Sequence, residues 1–308
     1  MVRLVIDTDP GVDDSHAILM ALAHPDVRVE AIMSVAGNVG VNFTTANACH
    51  ILDAVGMDVP VFAGAHAALI ARNPSADYVH GRDGLGDSNL PPSKRKVEKE
   101  HAANALVRLA NENPGELTLV AIGPLTNVAL ATCLDPDLPS KYKKLVIMGG
   151  AIRAQGNTTP LAEFNTYTDP EAAEIVFKGW PTCTLVSWET TLAHMFDTQQ
   201  VDALWAMQTA RAEFFRRVTG QTLKFIEEHM SARVLFAADF LAMAAAIEPS
   251  IVLKAEHKFL EVELRGQHSR GQTVVDWTNS QKRLPNVELV LEMDKARLWE
   301  LFQMALNN

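Results

Sequence analysis

The sequence predicts an α/β protein built on an open, mostly parallel, doubly wound sheet with helices on both faces and a helical cap. Three observations lead there. Apolar runs of strand length alternate with amphipathic stretches of helix length, which is the signature of parallel βαβ units. Four aspartates, Asp7, Asp9, Asp13 and Asp14, crowd directly behind the first apolar run, at the kind of strand-to-helix junction where open α/β folds place ligands. A long, largely helical stretch over 198–230 interrupts the alternation and supplies the candidate cap.

Residues 2–6 read as a buried strand, and 15–24 as a helix whose apolar face carries Ile18, Leu19, Met20 and Leu22. A strand over 29–35, a helix over 41–56 and a strand over 59–62 continue the repeat. The segment 66–92, which includes HGRDGLGDSN, is rich in Gly, Asp, Asn and Pro; its length suits an active-site loop better than a plain connection. Helix, strand, helix and strand follow at 99–113, 118–122, 127–133 and 144–148. A helix at 170–177 and a strand at 183–188 come next, with Trp188 and Glu189 at the strand end, where they shape the pocket. Of the aromatic residues in 198–230, Trp205, Phe214, Phe215 and Phe225 are assigned to core packing in preference to a mobile cap or an interface. Strands at 258–264 and 287–291 and a helix after Asp294 close the chain. No repeat or low-complexity linker divides it, so a single domain over 1–308 is expected.

The 308 residues, 48% of them hydrophobic, supply a substantial core. The formal net charge of −10 argues against nucleic-acid binding, which needs concentrated positive charge. The one basic cluster, KRKVEKE at 94–100, is interleaved with glutamates and reads as a solvated face. Apolar runs such as LTLVAI are too short for a membrane span, and no signal-peptide pattern precedes Asp7, so the expectation is a cytoplasmic protein. Cys49, Cys133 and Cys183 fit no metal or redox spacing and are expected to be buried free thiols.

Helix capping by Asp13 and Asp14 explains part of the acidic cluster, but it leaves Asp7 and Asp9 converging on the same turn without compensation. Like charges this close repel strongly unless something positive sits among them, and a hard divalent cation solves the problem. Oxygen donors without Cys or His favour calcium or magnesium over zinc, and calcium suits a site that also recruits ligand hydroxyls. Glu163 and Asn165, one residue apart, share a side if locally extended, and Asn157 approaches from the preceding loop. Such carboxylate and amide groups match vicinal hydroxyls.

DTDPGVDD resembles the opening fingerprint of the inosine-uridine-preferring nucleoside hydrolase family. The resemblance runs on through AGN at 36–38, HGRDGLG at 80–86, AIGPLTNVALA at 121–131, VIMGGA at 146–151, GNTTPLAEFNTYTDPEAA at 156–173 and AAD at 237–239. It implies calcium-dependent hydrolysis of the N-glycosidic bond of ribonucleosides. The implied metal ligands are Asp9, Asp14, Asp239 and the carbonyl of Ile122, with Leu125 or Thr126 as weaker carbonyl donors. Asp13 would be the general base, Asn38 would support the ribose and attacking water, and Asn157, Glu163 and Asn165 would hold ribose hydroxyls above Met148. Phe164 would line the sugar or base pocket or join the core, and Asp7 would organise the loop. A homodimer or homotetramer is implied as well.

The chain departs from the family pattern at Ala238, where many members carry the histidine associated with protonating the leaving base. An alanine methyl transfers no proton. His80 is the first substitute to consider, and His229 reads more simply as an exposed helical histidine. A catalytically weakened nucleoside- or ribose-binding protein is the competing function. A metal-dependent phosphohydrolase is disfavoured by the lack of concentrated basic residues.

Overall fold

The apolar run at the start of the chain forms strand β1 (Val2–Thr8), and its side chains alternate between two cores as a strand buried on both faces requires. Leu4 and Ile6 enter one core, Val5 the other. The computed structural model describes residues 1–70 and 74–307, so the loop expected over 66–92 contains three residues, 71–73, outside the described residues. After β1 come α1 (Val12–Ala23), β2 (Val27–Ser34), α2 (Val41–Val55), β3 (Val61–Ala63), the single turn α3 (Asp77–His80), α4 (Ala102–Glu112), β4 (Leu117–Ala121), α5 (Thr126–Leu134), α6 (Leu138–Lys141) and β5 (Lys144–Met148). The second half adds α7 (Phe164–Thr168), α8 (Pro170–Gly179), β6 (Cys183–Val186), α9 (Trp188–Ala193), α10 (Thr198–Ala206), α11 (Ala210–Met230), α12 (Ala238–Ile247), β7 (Val252–Lys258), β8 (Leu260–Val262), β9 (Thr273–Val275), β10 (Val287–Met293) and α13 (Lys295–Leu306).

The main sheet has the order β3-β2-β1-β4-β5-β6-β10-β7. Every neighbouring pair is parallel except β10 with β7, which is antiparallel and forms an edge. Helices α1, α11, α12 and α13 pack one face through Ile18, Phe215, Phe240 and Phe302; α4, α5 and α8 pack the other through Leu106, Val128 and Phe177. The doubly wound α/β fold read from the sequence is the fold observed. Strand order reverses between β1 and β4, so the chain leaves their C-terminal ends in opposite directions and opens a crevice there.

Several elements differ from expectation for identifiable reasons. The helical stretch over 198–230 breaks at Met207–Thr209, where the Thr209 hydroxyl accepts the Ala212 amide and starts a second helix. Phe214 and Phe215 are core, as expected, whereas Phe225 lines a cavity. The strand read at 258–264 is two elements: Lys258 ends the edge strand β7, and Leu260–Val262 leaves to pair with β9 in a separate ribbon. The strand read at 183–188 stops at Val186, because Ser187 caps α9 and puts Trp188 and Glu189 in its first turn. Cys49 and Cys183 are buried free thiols, but Cys133 is exposed. Among the described residues, no helix is long and apolar enough to cross a membrane.

Candidate functional site

The turn after β1 is held by a carboxylate that also begins α1. Asp14, in the first turn of α1, accepts the Gly11 amide at 2.9 Å, the Asn38 side-chain amide at 3.1 Å and the Thr8 hydroxyl. The capping explanation therefore accounts for part of Asp14's bonding. It does not account for its neighbours: Asp13, Asp14 and Asp239 place carboxylate oxygens within 4.8 Å of one another. Asp9 sits beside them. Its Oδ2 accepts the Asn38 amide at 2.7 Å, while its buried Oδ1 has no hydrogen-bond partner. Burial, reinforced by the adjacent negative charges, holds the Asp9 and Asp239 carboxyls well above the usual carboxylate range. Burial likewise raises Asp13 and Asp14 to about 6.

The backbone is shaped around this cluster. A Cβ at Gly37 would lie 2.1 Å from Asp9 Oδ2, and one at Gly123 would lie 2.6 Å from Asp9 Oδ1, so both approaches to the carboxylate exclude a side chain. Asn38 spends its amide on the Asp9 carbonyl and on Asp14, so it organises the carboxylates directly. Below them Asp7 is wholly buried, receives the Asn127 amide at 2.8 Å and is raised by burial to about 7. Asn127 also bonds the Ser34 carbonyl and the Ala65 amide, tying the ends of β1 and β2 to the loop after β3.

The other side of the crevice comes from β4, β5 and α7. The Ile122 carbonyl, one residue past β4, accepts the Asn165 amide at 3.1 Å, and the same amide lies 3.4 Å from Met148 Sδ. Glu163 caps α7, accepting the Asn165 and Thr166 amides and, across the loop after β5, the Gly150 amide at 2.8 Å. Asn157 Oδ1 accepts the Phe164 amide at 2.8 Å. Glu189, read from sequence as a pocket-shaping residue, takes the amides of Ile152 and Arg153 at 2.9 and 2.7 Å and so anchors the loop that carries Asn157.

The two sides of the crevice enclose one cavity of 320 Å³. Asp9, Asp13, Asn38, His80, Ile122, Met148, Asn157, Glu163, Phe164, Asn165 and Asp239 line it, whereas Asp14 and Asp7 stand behind the lining. Leu125 and Thr126 are absent from its walls. His80 Nδ1 accepts the Val12 amide at 3.1 Å and lies 4.0 Å from Asp13; burial lowers the imidazole to about 4. Tyr78, Trp188, Phe225, His229 and Phe236 give the cavity an aromatic side. Sequence reasoning missed the supports Thr8, Asn47 and Asn127. Asn47 donates to the carbonyls of Pro10 and Asp83, joining the acidic turn to the loop that carries His80. Thr8, within DTDPGVDD, and Asn127, within AIGPLTNVALA, lie inside motifs legible in the sequence, whereas Asn47 left no local signal.

Residues 4–300 match the family model described as inosine-uridine preferring nucleoside hydrolase. The chain belongs to that family. Uridine nucleosidase 1 of Arabidopsis thaliana is 47% identical over 191 residues, 61% of this chain and 57% of that protein. The inosine-uridine preferring nucleoside hydrolase of Crithidia fasciculata is 32% identical over 99% of this chain and 97% of its own. The solved structure of an inosine-guanosine nucleoside hydrolase superposes with a TM-score of 0.92 at 34% identity, covering 99% of this chain and 98% of that one. As a member of the nucleoside hydrolase family the chain is an enzyme, a ribonucleoside N-ribohydrolase that yields a free nucleobase and ribose.

Proposed function

We propose that this hydrolase depends on calcium, held by Asp9, Asp14, Asp239 and the Ile122 carbonyl, with Asp13 as the general base. The observation that carries the reading is the clustering of Asp13, Asp14 and Asp239 within 4.8 Å, beside a buried Asp9 oxygen that lacks any partner, at the crevice where strand order reverses. The donor set fits the ion: oxygen only, several carboxylates, and a carbonyl at a strand end. Bound there, calcium would neutralise the carboxylates, hold the vicinal ribose hydroxyls and make water easier to deprotonate.

The protein's own groups carry the remaining steps. Asn157, Glu163 and Asn165 orient the ribose hydroxyls, and Met148 lies under the sugar. As the C1′–N bond stretches, the ring acquires oxocarbenium character, and the surrounding carboxylates stabilise that charge more than they stabilise the neutral substrate. Asp13 takes the proton of the attacking water. A panel of inosine, uridine, cytidine and adenosine, assayed for free ribose and free base together, tests the reading; it expects the two products in equal amounts. Ligand binding without ribose release would instead support a nucleoside-binding protein. The family resemblance also supports a homodimer or homotetramer, which sedimentation analysis tests by mass.

A further inference from the structure

Breaking the C1′–N bond leaves an electron pair on the nucleobase, and Ala238, next to Asp239, has no proton to offer it. Three histidines line the cavity. His16 is wholly buried between Phe215 and Phe302, 4.9 and 5.5 Å from their rings, and its Nε2 is paired with the Thr219 hydroxyl at 2.9 Å. Its Nδ1 has no hydrogen-bond partner, and burial lowers the imidazole to about 3, so the ring stays neutral and holds no extra proton to give. His80 Nδ1 accepts the Val12 amide, so the ring hydrogen sits on Nε2, and an imidazolium would set two N–H donors against each other at Nδ1. His80 is therefore shaped to donate a hydrogen bond and not to carry the extra proton.

His229 has the opposite arrangement. It lies in the last turn of α11, exposed, and lines the cavity together with Phe225, Ile226 and Met230. Its Nδ1 is 2.8 Å from the Phe225 carbonyl oxygen, which only accepts, so Nδ1 keeps its hydrogen in either ring state. Nε2 is left as the nitrogen that gains and loses a proton. The ring lies 4.1 Å from that of Phe225 at 35°, and Phe225 is met edge-on by Tyr78 at 5.9 Å, which fixes where the imidazole stands. Trp188 and Phe236, 5.5 Å apart, provide a second aromatic pair on the same cavity, suited to a flat nucleobase.

We propose that His229 donates, through Nε2, the proton that the departing nucleobase takes up, the role Ala238 cannot fill. The proposal rests on the hydrolase reading. The C1′–N bond breaks with its electron pair going to the base nitrogen, and the Nε2 proton passes to the base. Water oxygen bonds C1′ while its proton goes to Asp13. Asp13 then releases a proton to solvent, and His229, being exposed, takes one back.

Single-turnover rates on inosine, uridine and p-nitrophenyl riboside, measured for the parent enzyme, His229→Ala, His229→Gln and His80→Ala, test this. The nitrophenolate leaves without needing a proton. His229→Ala and His229→Gln are expected to lose about a hundredfold or more on both nucleosides and less than about threefold on the nitrophenyl riboside, the usual scale for a general acid. Equal losses on all three substrates would overturn the proposal, and so would full activity of the Gln variant or a selective nucleoside loss confined to His80→Ala. A parent enzyme inactive on the nitrophenyl riboside as well would show that the hydrolase reading itself had failed.

Discussion

Gly37 leaves no room for a methyl group, since a Cβ there would press to 2.1 Å on the Asp9 carboxylate. Gly37→Ala must therefore displace Asp9, and is expected to weaken calcium binding by about tenfold or more, the usual scale for disturbing a ligand's support; calorimetric titration with calcium reads this directly. Asp13→Asn separates base from ligand: turnover should fall by about a hundredfold or more while calcium is still bound. Near-normal turnover would remove Asp13 from the base role. At this scale the sequence was informative where function is dense. Four carboxylates in eight residues repel one another unless something positive sits among them, and that pressure was readable from DTDPGVDD alone. The roles of Asn127 and Asn47 were not, because their partners Asp7 and Asp83 are brought to them only by the fold.

Helices and loops hold these residues in place, and two contacts between elements make separate predictions. Glu189 in α9 binds the backbone amides of the loop that carries Asn157, so Glu189→Ala should raise KM for nucleosides more than it lowers kcat. Glu248, at the end of α12, bonds Arg297 of α13 at 2.7 Å and His24 at the end of α1 at 3.1 Å. Hydrogen bonding to Arg297 holds its carboxyl at about 2, below the unfolded carboxylate value of about 4.3. The stabilisation is thus complete above that unfolded value and is lost as pH falls towards 2. Denaturant unfolding should show Glu248→Gln less stable than the parent at pH 6, with the gap closing between pH 4 and pH 2 as an order-of-magnitude window. The elements that sequence reasoning missed are those without a readable period. Helix α12, ADFLAMAAAI, is buried on every side and has no polar face, while β7 is a largely exposed edge strand whose polar residues look like loop.

The whole molecule explains why distant motifs share a cavity. Strands β1 and β4 are parallel neighbours with Asp7 opposite Ala121, and the chain departs from them in opposite directions. That reversal places the acidic turn against Ile122, and α12 brings Asp239 to it from the far end of the sequence. Alternation of strands and helices made the parallel sheet legible, but the order in which β10 and β7 complete it depends on long-range pairing that no local pattern encodes. Calcium dependence is the claim on which the whole arrangement turns, and it is tested most directly by one titration. The purified enzyme is stripped with chelator, calcium is returned stepwise, and bound metal and ribose release are measured on the same samples. Turnover absent without metal and rising in proportion to bound calcium, to one ion per chain, is the expected result. Full turnover by the metal-free protein would contradict the account.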